Sequence, residues 1–106
     1  MSTTPKNIGV LDTMDNFNVT TGSAVTLSSV VTINRDANLY FVDIADNDVR
    51  VTFDGSTPSN TVDSEVGHVL KAGRDYLMYA GMFKTAKLLG IGGTAKIAVT
   101  QLNGYA

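Results

Sequence analysis

The chain predicts an all-β fold: an antiparallel β-sandwich or jelly-roll-like barrel of about seven or eight short strands, with an extended N-terminal arm. Three observations lead there. Short runs of alternating apolar and polar residues recur at even spacing with turn signals between them, as in Val49-Arg50-Val51-Thr52-Phe53 followed by Asp54-Gly55. The acids are nine Asp against a single Glu, Glu65, and Asp favours turns and caps where Glu favours helix interiors. Thirteen Thr accompany ten Gly; Thr favours strands, and Gly disfavours helix interiors.

Residues 1–16 are polar, carry Pro5 and hold no steady period, so they read as an arm ahead of a single domain spanning residues 17–106. Ile8, Val10, Leu11 and Met14 are more apolar groups than a purely solvated tail requires, which points to docking on this domain or on a neighbouring subunit. Phe17-Asn18-Val19-Thr20 alternates as a half-buried strand, closed by Thr21-Gly22-Ser23. Ala24 to Ile33 is rich in Val, Thr and Leu and reads as a strand with a bend or bulge at Ser28-Ser29. Asn34-Arg35-Asp36 turns the chain. Leu39 to Ile44 is a strong strand, with Tyr40, Val42 and Ile44 on one face and Leu39, Phe41 and Asp43 on the other.

After the turn at Ala45-Asp46-Asn47-Asp48, Val49 to Phe53 forms a clear half-buried strand. Asp54-Gly55 is a tight turn, and Ser56 to Glu65 is a polar loop holding Pro58. Gly67 and Gly73 bracket the next short strand, which contains Val69 and Leu70. Asp75 to Ala80 is apolar on both parities, through Tyr76, Met78 and Ala80 and through Leu77 and Tyr79, a pattern compatible with burial on both faces. Phe83, Ala86, Lys87 and Gly90 fit a short helix, whereas Lys87 to Ile91 fits a strand equally well. The glycines argue against a long helix, so the reading is a helical turn near Met82–Thr85 followed by a strand at Ala86–Ile91. Gly92-Gly93 suits a hairpin turn, and Ala95, Ile97 and Val99 set the parity of a closing strand.

Size and charge bound the function. A chain of 106 residues suits one domain and buries roughly 60–70% of its unfolded surface. No cysteine is present, which removes disulfides and thiolate metal sites and fits a reducing compartment. The net charge of −2 comes without a basic stripe, so no nucleic-acid partner is expected. No apolar run approaches the roughly 18 residues of a membrane span, and the first residues lack a signal-peptide layout, so no membrane partner is expected. Charged residues make up 17%, against about 25% in an average soluble domain. Neighbouring subunits covering the surface explain this, and so does a surface of Thr and Asn.

Candidate chemistry is sparse. His68 is the only histidine and has no nucleophile motif near it in sequence, so it reads as structural or exposed. Asp43, Asp46, Asn47 and Asp48 offer hard oxygen ligands, but the calcium-loop pattern fails: its glycine and glutamate positions hold Asp48 and Asp54. Turn-forming Asx residues explain the cluster, and no metal or cofactor is expected. Gly90-Ile91-Gly92-Gly93 is not a phosphate loop. Asn18-Val19-Thr20 matches a glycosylation triplet, discounted without a secretory signal. Tyr40, Tyr76, Tyr79 and Tyr105 offer a sugar-stacking platform, although strand parity assigns at least two of them to the core. No catalytic grouping emerges, so an enzyme is not expected.

Arg50-Val51-Thr52-Phe53-Asp54-Gly55, then Pro58, then Gly67-His68-Val69-Leu70 and Ala72-Gly73 resembles a motif of small β-rich virion structural proteins of tailed bacteriophages. In that group a strand ends in Phe-Asp-Gly, a Pro follows, and a Gly…Leu…Gly strand comes next. Gly92-Gly93-Thr94-Ala95-Lys96-Ile97-Ala98-Val99-Thr100 looks like the group's closing strand, and Thr61 to Glu65 is longer than usual. The resemblance covers about Val49 to Thr100. It implies a non-enzymatic virion protein made in the host cytoplasm, foremost a capsid decoration (cement) protein that stabilises the head shell. The major capsid protein or other virion proteins would then be its partners. Self-association as a homo-oligomer is expected, with a trimer favoured on closed symmetry. A head-neck or fibre component, or a carbohydrate- or receptor-binding module, is the alternative.

Overall fold

The computed structural model describes residues 9–10 and 15–103. In chain order the elements are β1 (Gly9–Val10), β2 (Asp15–Val19), β3 (Val25–Thr26), α1 (Leu27–Val30), β4 (Leu39–Ala45), β5 (Val49–Thr52), β6 (His68–Leu70), β7 (Arg74–Tyr79), α2 (Ala80–Thr85), β8 (Lys87–Gly90) and β9 (Ala95–Asn103). They form two antiparallel sheets in a sandwich-like arrangement. The first runs β1-β9-β4-β7, with β2 also paired to β9, and the second runs β3-β8-β5-β6. Strand β9 is the spine of the first sheet: it carries β4 along one side and both β1 and β2 along the other.

Strict alternation selects the inner faces. Tyr40, Val42 and Ile44 of β4, Met78 of β7, and Ile97 and Val99 of β9 are buried, and they meet Val49 and Val51 of β5, Leu70 of β6 and Leu88 of β8 in one core. Each such side chain contributes roughly 1.5–3 kcal/mol when fully buried. Leu27 of α1 and Phe83 of α2, both fully buried, join the same core. The Phe83 ring stacks on Tyr40 with centroids 3.9 Å apart and planes 7° from parallel. Gln101, buried in β9, accepts the Asn34 N–H through Oε1 at 2.7 Å and donates through Nε2 to the Thr32 carbonyl at 2.8 Å. It thereby fixes the segment between α1 and β4.

Several elements differ from the expected ones. The strand expected over residues 24–33 is two residues of β3 followed by the helical turn α1. Leu27 N–H donates to the Ala86 carbonyl at 3.0 Å, next to the β3–β8 pairs, and Ser29 Oγ donates to the Thr26 carbonyl at 2.7 Å, a local side-chain bond that supports the turn. Strand β5 ends at Thr52, and Phe53 is half-buried beyond it. Strand β9 continues the Ala95, Ile97 and Val99 parity to Asn103. Of the expected arm, Gly9–Val10 and Asp15–Asn16 lie in strands paired to β9. The double burial compatible with Asp75–Ala80 does not occur among the described residues, because Leu77 and Tyr79 are exposed. Strand β7 ends its sheet, and nothing among the described residues lies over its second face.

Candidate functional site

The two outer faces differ in how they are finished. Over the second sheet the loop between β5 and β6 folds back and is strapped down. Arg50 donates through Nε to Asn60 Oδ1 at 2.9 Å and through Nη1 to the Gly67 carbonyl at 3.3 Å, and Asn60 Nδ2 donates to the Gly90 carbonyl at 2.8 Å. Ser59 and Val66 close the loop as an isolated bridge. Pro58, within the loop, is buried. Gly67 has φ +115, and a Cβ there would stand 2.7 Å from the Val51 carbonyl oxygen, so this approach admits only glycine. The remaining turn residues also organise backbone. Asp54 accepts from Ser56 N–H at 3.1 Å and from the Ser56 hydroxyl. Gly55, Gly73 and Gly92 have positive φ, and Gly93 abuts Asn47.

Asp54, Ser56 and His68 line one shallow cleft with Phe53 and Gly67. The Ser56 hydroxyl is committed to Asp54. That bond is the first cause holding the Asp54 carboxyl below its usual range, with the Ser56 backbone N–H second. This is turn chemistry, and His68 is exposed beside it.

The acidic turn likewise spends its side chains on separate partners. Asp46, at φ +74, faces Lys96 at 3.8 Å. Asn47 donates to the Thr94 carbonyl at 2.9 Å. Asp48 accepts the Ala72 N–H at 2.8 Å and pairs with Lys71 at 3.4 Å. The Ala72 N–H is the leading cause that holds the Asp48 carboxyl low; slight burial works against it, and Lys71 adds to it. Among the described residues no group of three or more potential metal ligands converges, and no helix is long and apolar enough to cross a membrane.

No described residue lies over the first sheet's outer face, and that face is sorted along its strands. Register sets its rows. Tyr79, Leu39, Leu102 and Val10 are successive partners across β7, β4, β9 and β1. Leu77, Phe41 and Thr100 form the next row. Asp75, Asp43, Ala98 and Asn16 form the third, and Ala45, Lys96 and Asn18 the fourth. One half of the face is therefore apolar and the other polar. Tyr79 is 70% exposed, Leu77 58% and Phe41 36%. Contiguous apolar exposure of this kind marks interaction surfaces, and it runs to an edge strand whose far side is unpaired among the described residues.

This face is the candidate site, and the expected site residues meet it only in part. Val10 takes a register position in the apolar row, whereas Ile8, Leu11 and Met14 lie outside the described residues. The tyrosines do not assemble into a platform among the described residues: Tyr40 is core, the Tyr76 hydroxyl accepts the Lys71 N–H at 2.8 Å, and Tyr79 is exposed. Tyr105 lies outside the described residues. Phe41, Leu77 and Tyr79 were legible as apolar strand residues, but only the register brings them together. Comparison with protein-family models, curated proteins and solved structures finds no match.

Proposed function

We propose that the chain is a non-enzymatic structural protein of a tailed-bacteriophage virion, a capsid decoration protein that stabilises the head shell through subunit contacts. The observation that carries this reading is the apolar half-face of Leu39, Phe41, Leu77, Tyr79 and Leu102 on a sheet whose opposite face is a filled core. A tightly packed sandwich with an apolar face that no described residue covers is suited to sticking rather than to turnover. The sequence motif supports the same reading, because its Pro58 and Gly67 lie in the strapped loop that finishes the opposite surface and its Arg50, on β5, holds that loop down.

In this account the major capsid protein covers the apolar rows, and the chain self-associates on the shell. The sandwich is the jelly-roll-like body. The N-terminal segment is the arm that reaches a neighbour; the pairing of Gly9–Val10 with β9 anchors its base at a sheet edge. Ordering such a segment costs entropy but covers a large surface for its length. A neck or fibre position uses the same kind of face at much lower copy number. Quantifying this protein against the major capsid protein in purified particles tests the reading: a near-stoichiometric ratio is expected. Absence from particles overturns it, and a ratio of a few copies per particle moves the protein to the neck or fibre.

A further inference from the structure

The geometry points to a second copy of this chain as the occupant of the β7 edge: two β7 strands pair antiparallel about a two-fold axis through Leu77, joining the first sheets of both copies into one continuous sheet. This deepens the adhesive-face reading and rests on it. Strand β7 ends its sheet, pairs only with β4 among the described residues, and exposes Leu77 and Tyr79. Natural edges are blunted by charge, proline or bulges. Here Arg74 and Asp75 guard the beginning of the strand, and the stretch from Tyr76 to Tyr79 carries no guard.

The register follows from side-chain matching. A two-fold axis normal to the sheet keeps outer residues opposite outer residues, so β7 pairs with its copy only in registers that preserve parity. Centring on Asp75 sets two carboxylates against each other, which is destabilising. Centring on Tyr76 sets Asp75 against Leu77 of the other copy, and centring on Met78 leaves only a short overlap. Centring on Leu77 sets leucine against leucine and Asp75 against Tyr79 of the other copy, where the phenol is placed to donate to the carboxylate.

That register also answers an oddity within one chain. Asp43 and Asp75 are directly opposed cross-strand partners, and neither has a basic partner among the described residues. Like charges directly opposite are unfavourable. In the pair, this carboxylate row continues into the Leu39–Tyr79 row of the other copy. The Thr100–Phe41–Leu77 rows of the two copies meet end to end, so the pair presents a doubled apolar band. The assembly closes as a two-fold pair, in place of the trimer expected from symmetry alone.

Cysteine cross-linking tests the register directly, because the chain has no cysteine of its own. In the proposed pair the two residues at position 77 are opposite each other, with Cβ atoms about 4.5–5.5 Å apart, within reach of a disulfide after small adjustment. The two residues at position 41 lie three strand spacings apart, roughly 14 Å, beyond reach. Leu77→Cys is expected to oxidise to a covalent dimer and Phe41→Cys to remain monomeric under the same conditions.

In sedimentation equilibrium the wild-type chain is expected to dimerise with concentration. Leu77→Lys and Leu77→Glu should each weaken the dimer by about tenfold or more, since every dimer then faces like charges, and an equimolar mixture of the two should restore it. Circular dichroism checks that each variant is folded. A wild-type chain that is monomeric at all concentrations overturns the pairing. Equal cross-linking at positions 77 and 41, or no recovery on mixing, overturns the register. A monomer that still binds shells defeats the pairing and leaves the virion reading standing; a dimer that binds no shell does the reverse.

Discussion

Removing one oxygen from the core should make this protein more stable. Tyr40 is fully buried, and its hydroxyl has no hydrogen-bond partner among the described residues. A buried donor left unpaired costs about 1–3 kcal/mol. Burial also raises the Tyr40 phenol above the ordinary tyrosine range. In Tyr40→Phe the ring keeps its stack on Phe83 at 3.9 Å, so the packing of the two rings is retained. What remains is relief of the unpaired hydroxyl, offset by a void of one oxygen atom, whose lost contacts amount to a few tenths of a kcal/mol to about 1 kcal/mol. The net gain is about 1 kcal/mol, which raises the melting temperature by roughly 4–8 °C for a domain of this size. Guanidinium unfolding should show a higher midpoint with an unchanged slope. Tyr→Phe usually destabilises when the hydroxyl is bonded. A loss of about 0.5 kcal/mol or more would therefore show that the phenol has a partner, and the argument would fail.

Other substitutions probe other joints. In Gly90→Ala the new Cβ would stand 2.6 Å from the Gly93 carbonyl oxygen and 2.9 Å from that of Val19, so chemical denaturation should register a loss of about 1–3 kcal/mol or more. Gln101→Ala strands the Asn34 N–H and the Thr32 carbonyl, and a loss of about 2–4 kcal/mol is expected, with faster amide exchange at Asn34 as the local signature. Asp48 has a depressed carboxyl pKa in the folded state, so its contribution is fully present above the unfolded value of about 3.9 and disappears as pH falls through the folded value. The melting-temperature gap between wild type and Asp48→Asn should thus be steady near neutrality and close below about pH 4; a gap that widens in acid would contradict the assignment.

Legibility tracked the strength of alternation. Strand β4 could be read residue by residue because Tyr40, Val42 and Ile44 are separated by residues that stay at the surface. Strand β9 could be read the same way, as Ala95, Ile97 and Val99 are all buried. The segment from Val25 to Val30 misled because its apolar spacing suits a strand and a helical turn alike. What decides is tertiary: Leu27 has to reach the core beside Ala86, and the Ser29 hydroxyl takes the Thr26 carbonyl. Strand β7 misled for a different reason. Apolar residues on both parities signal two covered faces, but a single sequence does not say whether the second cover belongs to the same chain. Here Leu77 and Tyr79 are exposed, and no described residue covers them. The candidate face was invisible for a related reason: Phe41 meets Leu77, and Leu39 meets Tyr79, only through the pairing of strands far apart in the chain. The strap of Arg50, Asn60 and Gly67 was half legible, since Gly67 stood out while Asn60 sat unmarked in a polar loop.

The central claim is adhesion through the apolar rows of the first sheet. The most direct measurement is binding of purified protein to phage shells stripped of it, comparing wild type with a Phe41→Asp/Leu77→Asp variant shown by circular dichroism to keep its sheet. The account predicts saturable binding by the wild type that is lost in the variant. Equal binding by both proteins, or none by the wild type, would contradict it.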